Sequence, residues 1–268
     1  MAKRQHKQIA LAQNFLKDPA LVRRLVSIAA IRPKDLVYEI GPGKGIITAE
    51  LARVAKKVIA VEKDPRLVRA LRERFRAHGN VEIVERDFLQ YSIRSADEYK
   101  IFANIPYNMT AGIVRKILYV PPSPVEAFLI MQKEPARKFA GLPAETQFSL
   151  LAKPFFEFRI LYHLRRTDFQ PTPDVDSVLL RIRRRACPLL TLEDAQLYRD
   201  FVQYGFGRWK RHLRSAFKHV FTYTQWKRLA RDLNFPLNAT PTQLSFEQWL
   251  GLYNGYKHLI VDDKQKSR

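Results

Sequence analysis

The sequence predicts an α/β fold, an open parallel-rich sheet wound on both faces, followed by a small all-helical domain. Three observations carry this. Short apolar runs alternate with amphipathic helical stretches through the first 185 residues. A glycine-rich turn, GPGKG (41–45), joins the first long run to its helix. From about Cys187 onward every apolar pattern has a helical period.

The elements follow in order. DPALVRRLVSIAAI (18–31) opens with Asp18 as N-cap and Pro19 at the first helical position. DLVYEI (35–40) reads as a strand, and a helix runs from about Gly45 to Val54. KVIAVE (57–62) is a second strand ending at Glu62. DPRLVRALRERFRAHG (64–79) repeats the Asp-Pro start with Asp64 and Pro65, and reads as helix up to Gly79. VEIVERD (81–87) is a third strand ending near Asp87, and YKIFAN (99–104) a fourth ending at Asn104. TAGIVRKILY (110–119) reads as helix and EAFLIMQ (126–132) as a fifth strand. Two helices follow, around PARKFAG (135–141) and TQFSLLAKPFF (146–156). FRILYHL (158–164) and SVLLRIRRR (177–185) are joined by RRTDFQPTPDVD (165–176) with no helix between, so they should form an antiparallel hairpin. LEDAQLYRDFVQYGF (192–206), HLRSAFKHV (212–220), TQWKRLARDL (224–233) and SFEQWLGLYNGY (245–256) supply the helical domain. The boundary is placed between residues 186 and 187, and the tail DDKQKSR (262–268) is expected to be disordered.

Composition narrows the function. Of 268 residues 46% are hydrophobic, enough for a real core. No apolar run reaches the length of a membrane span and no signal peptide opens the chain, so a cytoplasmic protein is expected. The single cysteine, Cys187, excludes an internal disulfide and a cysteine metal cluster. A net charge of +21 exceeds what solubility requires and points to a polyanion. Both segments are net basic. The run Arg208, Lys210, Arg211 and Arg214 beside Trp209 is a candidate phosphate contact, although a solvated helix end would look the same.

The glycine turn is weak evidence alone, but its details discriminate. A dinucleotide fingerprint needs a third glycine where Ile46 stands, and the phosphate-loop pattern is absent. This argues against a dinucleotide oxidoreductase. Gly41 and Gly43 let backbone approach a ligand closely. Glu62 at a strand end can accept ribose hydroxyls, and Asp87 can accept from an adenine amino group. Each acid alone could be a helix cap or a solvated carboxylate. The ordered set describes an adenosine-containing ligand without a pyrophosphate, which S-adenosylmethionine fits best.

NIPYN (104–108) follows a strand end. A base amine is a poor nucleophile because its lone pair is delocalised into the ring. Acceptors for both amine hydrogens favour a tetrahedral nitrogen with its lone pair directed outward. Asn104 Oδ1 can take one hydrogen. The Ile105 carbonyl can take the other, because Pro106 holds Ile105 extended. Tyr107 offers a flat face to an extracted base. No metal is required.

AQNFL (12–16), EIGPGKG (39–45), VEKD (61–64), ERDFL (85–89), NIPYN (104–108) and DFQPTPDVDS (168–177) resemble the rRNA adenine dimethyltransferase family over nearly the whole chain. Ile105, the helix AGIVRKILY (111–119) and the ending ATPTQLSFEQWLGLYNGY (239–256) resemble its Erm branch, which methylates one adenine of 23S rRNA and confers macrolide, lincosamide and streptogramin B resistance. The housekeeping branch, which methylates 16S rRNA, is the alternative, as is a non-catalytic RNA-binding factor. The resemblance implies a Rossmann-like S-adenosylmethionine-dependent methyltransferase sheet (1–186) with a helical RNA-binding domain (187–268). It implies cofactor contacts from Asn14, Leu16, Gly41, Glu62, Asp87 and Asn104, to which Gly43 is added from the turn. It implies that Phe169 stacks on the target adenine opposite Tyr107; from its residues alone Phe169 reads as a packing aromatic. The expected partner is 23S rRNA, protein-free or partly assembled, and the expected state a monomer away from any membrane.

Overall fold

The computed structural model describes residues 14–95, 97–207 and 212–266. Arg208, Trp209, Lys210 and Arg211 lie outside the described residues. Contacts divide the chain into two units, Met1–Ala136 with Glu157–Arg184, and Arg137–Phe156 with Arg185–Arg268.

In the first unit the chain runs β1 (Phe15–Leu16), α1 (Pro19–Ile28), β2 (Leu36–Ile40), α2 (Ile46–Val54), β3 (Lys57–Glu62), α3 (Pro65–Arg74), β4 (Val81–Glu85) and β5 (Tyr99–Asn104). Both Asp-Pro starts behave as expected: Asp18 accepts from Ala20 N–H at 2.8 Å, and Asp64 from Arg66 N–H at 2.9 Å. After a 3₁₀ turn at Tyr107–Met109 come α4 (Thr110–Tyr119), β6 (Glu126–Gln132) and α5 (Lys133–Ala140). Then follow α6 (Gln147–Ala152), which belongs to the second unit, and, back in the first, β7 (Phe156–Leu164), β8 (Phe169–Gln170) and β9 (Ser177–Arg184).

Among the described residues β2 to β7 and β9 form a seven-stranded sheet in the order β4-β3-β2-β5-β6-β9-β7. The pairings β4–β3, β3–β2, β2–β5 and β5–β6 are parallel, and β6–β9 is antiparallel. β7 and β9 are sheet neighbours, with a 3₁₀ turn at Arg166–Asp168 and β8 between them in the chain. The chain leaves β2 toward β3 on one side and returns through β5 on the other. That reversal is a topological switch point, where the strand ends diverge and leave a crevice. Register sets Ile40 opposite Val61 and Ala103, and Glu62 opposite Glu85, so the carboxyl ends of four strands share one rim. One core cluster of this unit joins Val22, Leu25, Leu51, Val58, Phe102 and Phe128, all essentially without exposure.

Several boundaries differ from the sequence reading. α3 stops at Arg74, five residues before Gly79. The chain then turns, and Asn80 donates to the carbonyls of Ala52 and Ala55 at 2.8 and 3.2 Å, pinning the entry to β4 against the end of α2. α6 ends at Ala152, because Pro154 cannot continue a helix and the chain enters β7. Residues 137–156 group with the helical unit, where Leu150 is fully buried in its core. β1 and β8 pair antiparallel, Leu16 opposite Phe169, in a two-stranded sheet too short to leave a sequence pattern.

The second unit contains α7 (Leu192–Gly207), α8 (Leu213–Ala216), α9 (Tyr223–Asp232) and α10 (Phe246–Lys266). The expected disorder of the tail is corrected up to Lys266, through which α10 continues; residues 267 and 268 lie outside the described residues. Its core is aromatic: Tyr198, Phe201, Phe217, Trp226, Trp249 and Tyr253 are buried together. The two indole N–H groups each donate to a carbonyl at 3.0 Å, Trp226 to Leu237 and Trp249 to Pro241, which removes the cost of burying them. Arg214 is exposed, its guanidinium 5.7 Å from the Tyr223 ring. Among the described residues no helix is long and apolar enough to cross a membrane, and no group of three His, Cys, Asp or Glu could hold a metal.

Candidate active site

A cleft opens at the switch point. Asn14, Leu16, Gly41, Gly43, Glu62, Asp87, Asn104, Ile105 and Tyr107 all line it. Its walls are mainly apolar, with Ile40, Val61, Phe88 and Ile113 among them. Apolar walls and a few convergent polar groups suit a nucleoside ligand.

The glycine turn forms one side. Gly41 has φ +65°, and a Cβ added there would meet open space inside the cleft, so bare backbone faces the ligand region. Gly43 has φ +58°, and a Cβ would come within 2.5 Å of the Phe15 ring, so both backbone and space require glycine. Glu62 is 3% exposed and holds this turn: one carboxylate oxygen accepts from Gly43 N–H at 3.2 Å, the other from Lys63 and Asp64 N–H at 2.8 and 3.0 Å. A carboxylate has about four acceptor positions, so the oxygen facing Gly43 retains one for a ligand hydroxyl. The sequence located Glu62 but gave no sign that it also fastens the glycine turn. Asp87 sits beyond β4, one of its oxygens held by Leu89 N–H at 2.8 Å, which leaves the other for a ligand donor. These residues fit an adenosine-containing cofactor.

The opposite side is built from NIPYN. Asn104 Nδ2 donates to the Asn14 carbonyl at 2.7 Å. Because that partner can only accept, the amide orientation is fixed and Oδ1 is the acceptor presented by the side chain. Ile105 N–H donates to the Ile130 carbonyl at 2.9 Å, and Pro106 stands at φ −58°. The Ile105 peptide is therefore held from both sides. The Tyr107 hydroxyl lies 3.3 Å from Ser177 Oγ, which ties the ring to the first residue of β9. Ser177 is a site neighbour that sequence reasoning passed over, although it closes the DFQPTPDVDS motif.

Phe169 is placed elsewhere. It is 2% exposed, outside the cleft lining, and packed in the core cluster with Leu16, Leu164 and Leu179. The β1–β8 pairing sets it opposite Leu16, which the proline-rich loop around it did not announce.

Below the glycine turn Glu39 is 1% exposed, with neither carboxyl oxygen nor the neighbouring Thr48 hydroxyl finding a hydrogen-bond partner among the described residues. Burial, opposed by the Thr48 side chain and backbone close by and reinforced to a lesser degree by the charge of Glu62, pushes the Glu39 pKa up to about 8. The folded protein thus holds a proton that the unfolded chain releases near pH 4.5. Stability from this group should fall as pH rises from 4.5 toward 8 and level off above. Glu39→Gln, which mimics the neutral form, should flatten that slope and gain a few kcal/mol over the native chain at alkaline pH. Urea melts at pH 5, 7 and 8.5 check this; parallel curves for the two proteins would show Glu39 ionised in the fold.

A family model described as "Ribosomal RNA adenine dimethylase" matches residues 4–258. A Saccharopolyspora erythraea protein named rRNA adenine N-6-methyltransferase is 32% identical over 242 residues, covering 90% of this chain and 63% of its own length. An Acaryochloris marina protein named Ribosomal RNA small subunit methyltransferase A is 31% identical over 253 residues, covering 90% of this chain and 94% of its own. The crystal structure of the 23S rRNA methyltransferase ErmE superposes with a TM-score of 0.85 at 31% identity, covering 91% of this chain and all of that one. The chain thus spans less than two thirds of the Saccharopolyspora relative.

Proposed function

The chain belongs to the ribosomal RNA adenine dimethylase family of S-adenosylmethionine-dependent rRNA adenine N6-methyltransferases, and we propose from that premise that its substrate is one adenine of 23S rRNA. Asn14, Leu16, Gly41, Gly43, Glu62, Asp87 and Asn104 would hold the cofactor. When bound, S-adenosylmethionine supplies an electrophilic methyl group on a sulfonium. The chain's own part is positioning and electrostatics. Asn104 Oδ1 and the Ile105 carbonyl accept the two hydrogens of the N6 amine, which localises its lone pair. The observation that carries this is the Asn104–Asn14 bond, which leaves the amide oxygen as acceptor. Tyr107 supports one face of the extracted base, and Phe169 the other once uncovered. Residues 1–186 are proposed as the catalytic domain and 187–268 as a helical RNA-binding domain, in a cytoplasmic monomer acting on protein-free or partly assembled rRNA.

The 23S assignment is supported by Ile105, by the ending ATPTQLSFEQWLGLYNGY and by the likeness to ErmE over that whole chain. Macrolide, lincosamide and streptogramin B resistance would follow. A small-subunit relative at 31% identity, covered over 94% of its own length, supports the 16S reading equally. Primer extension on protein-free 23S and 16S rRNA after treatment with enzyme and cofactor separates the two. A new stop at one 23S adenine is expected. Stops at two neighbouring 16S adenines would transfer the chain to the housekeeping reaction.

A further inference from the structure

We propose that Lys116 is a positioning residue that fixes the adenine end of the cofactor cleft from the helix following the catalytic segment. Lys116 lies on α4, directly after NIPYN and its 3₁₀ turn. Its ammonium donates to the carbonyls of Phe88, Leu89 and Tyr91 at 2.5, 2.9 and 2.6 Å. An ammonium has three donors, and all three are spent on one four-residue stretch. The same nitrogen stands 4.9 Å from the centre of the Phe88 ring, and Phe88 is a buried wall of the cleft.

That stretch begins one residue after Asp87. The Asp87 carboxylate is itself tied to Leu89 N–H at 2.8 Å, and its carbonyl accepts from Gln90 N–H at 3.0 Å. The turn therefore directs several carbonyl dipoles toward one point, where they would repel one another without a cation. Lys116 satisfies them, and through Leu89 holds the Asp87 carboxyl in place. Burial pulls the Lys116 pKa down, offset in part by attraction to Asp87, and the three carbonyl bonds hold the ammonium in place. Arginine is a poor substitute, since its planar fork cannot bring three donors to one point. The catalytic segment and the adenine-binding turn are thereby fastened together through one side chain.

This rests on the proposed use of Asp87 as acceptor for the cofactor's amino group, and the test separates the two. Calorimetry would measure S-adenosylhomocysteine and S-inosylhomocysteine, which has an oxo group in place of the 6-amino group, on native protein, Lys116→Met and Lys116→Arg. Native protein should prefer the adenosyl ligand. Lys116→Met should weaken that ligand roughly tenfold, about the worth of one charged hydrogen-bond partner, and leave the inosyl ligand within about twofold. Lys116→Arg should recover less than half of the lost preference on a logarithmic scale. The criterion is a ratio within each variant, so general loosening, which weakens both ligands alike, does not imitate it. An unchanged ratio in both variants would overturn the role of Lys116 while leaving Asp87 in place. No preference in native protein would overturn Asp87 as acceptor, and Lys116 with it.

Discussion

Asn104→Ala should lower single-turnover methylation at saturating cofactor by roughly 10²–10³, the range for losing one preorganised polar group in a transition state. In the proposed mechanism the amide acts at both ends: its oxygen would accept from the base amine, and its Nδ2 holds the Asn14 carbonyl at 2.7 Å. The Ala variant should therefore also bind cofactor more weakly, because Asn14 lines the same cleft. Saturating cofactor removes that second effect and leaves the first. Glu62→Ala should show the opposite balance. Its loss frees Gly43, Lys63 and Asp64 N–H together, so cofactor affinity should fall while turnover at saturation suffers less. Near-native single-turnover rates in Asn104→Ala would show that the amide does not activate the amine.

The cleft was legible in sequence because open α/β sheets place ligand-binding side chains at strand ends, and strand ends can be read from apolar runs. Gly41, Glu62, Asp87 and Asn104 each follow or close such a run. What could not be read was direction. Nothing in VEKD says that three backbone N–H groups converge on Glu62, since that depends on how the turn after β3 folds back. Lys116 reads as one more cation on an amphipathic helix; only the three-dimensional course of residues 88–91 brings carbonyls to it. Helix ends failed where tertiary contacts overrode periodicity, as at Asn80 beyond α3. β1 and β8 escaped because a two-residue strand has no period.

Phe169→Ala should destabilise the protein by about 3–5 kcal/mol, the usual cost of emptying a buried phenylalanine site. The ring is 2% exposed and shares a cluster with Leu16, Phe102, Phe128 and Leu179. Phe169→Leu keeps most of the apolar volume and should cost less, on the order of 1–2 kcal/mol. Urea melts give both values. A second, separable loss is expected in base capture. Extracting an adenine costs a few kcal/mol of unstacking, and an aromatic face returns roughly 1–3 kcal/mol. To return it, Phe169 must leave the core cluster it shares with Leu16, so part of the stacking energy goes to that opening. Capture should therefore depend less on Phe169 than on Tyr107, which already lines the cleft. Fluorescence of a 2-aminopurine at the target position, read well below the melting temperature of each variant, measures that capture. Cofactor affinity should stay near native in Phe169→Leu, with much of the activity, while Phe169→Ala should hold the base more weakly. If folded Phe169→Ala captured the base and methylated it as native protein does, its stability loss alone remaining, Phe169 would be a core residue and Tyr107 the one aromatic of the two that meets the adenine.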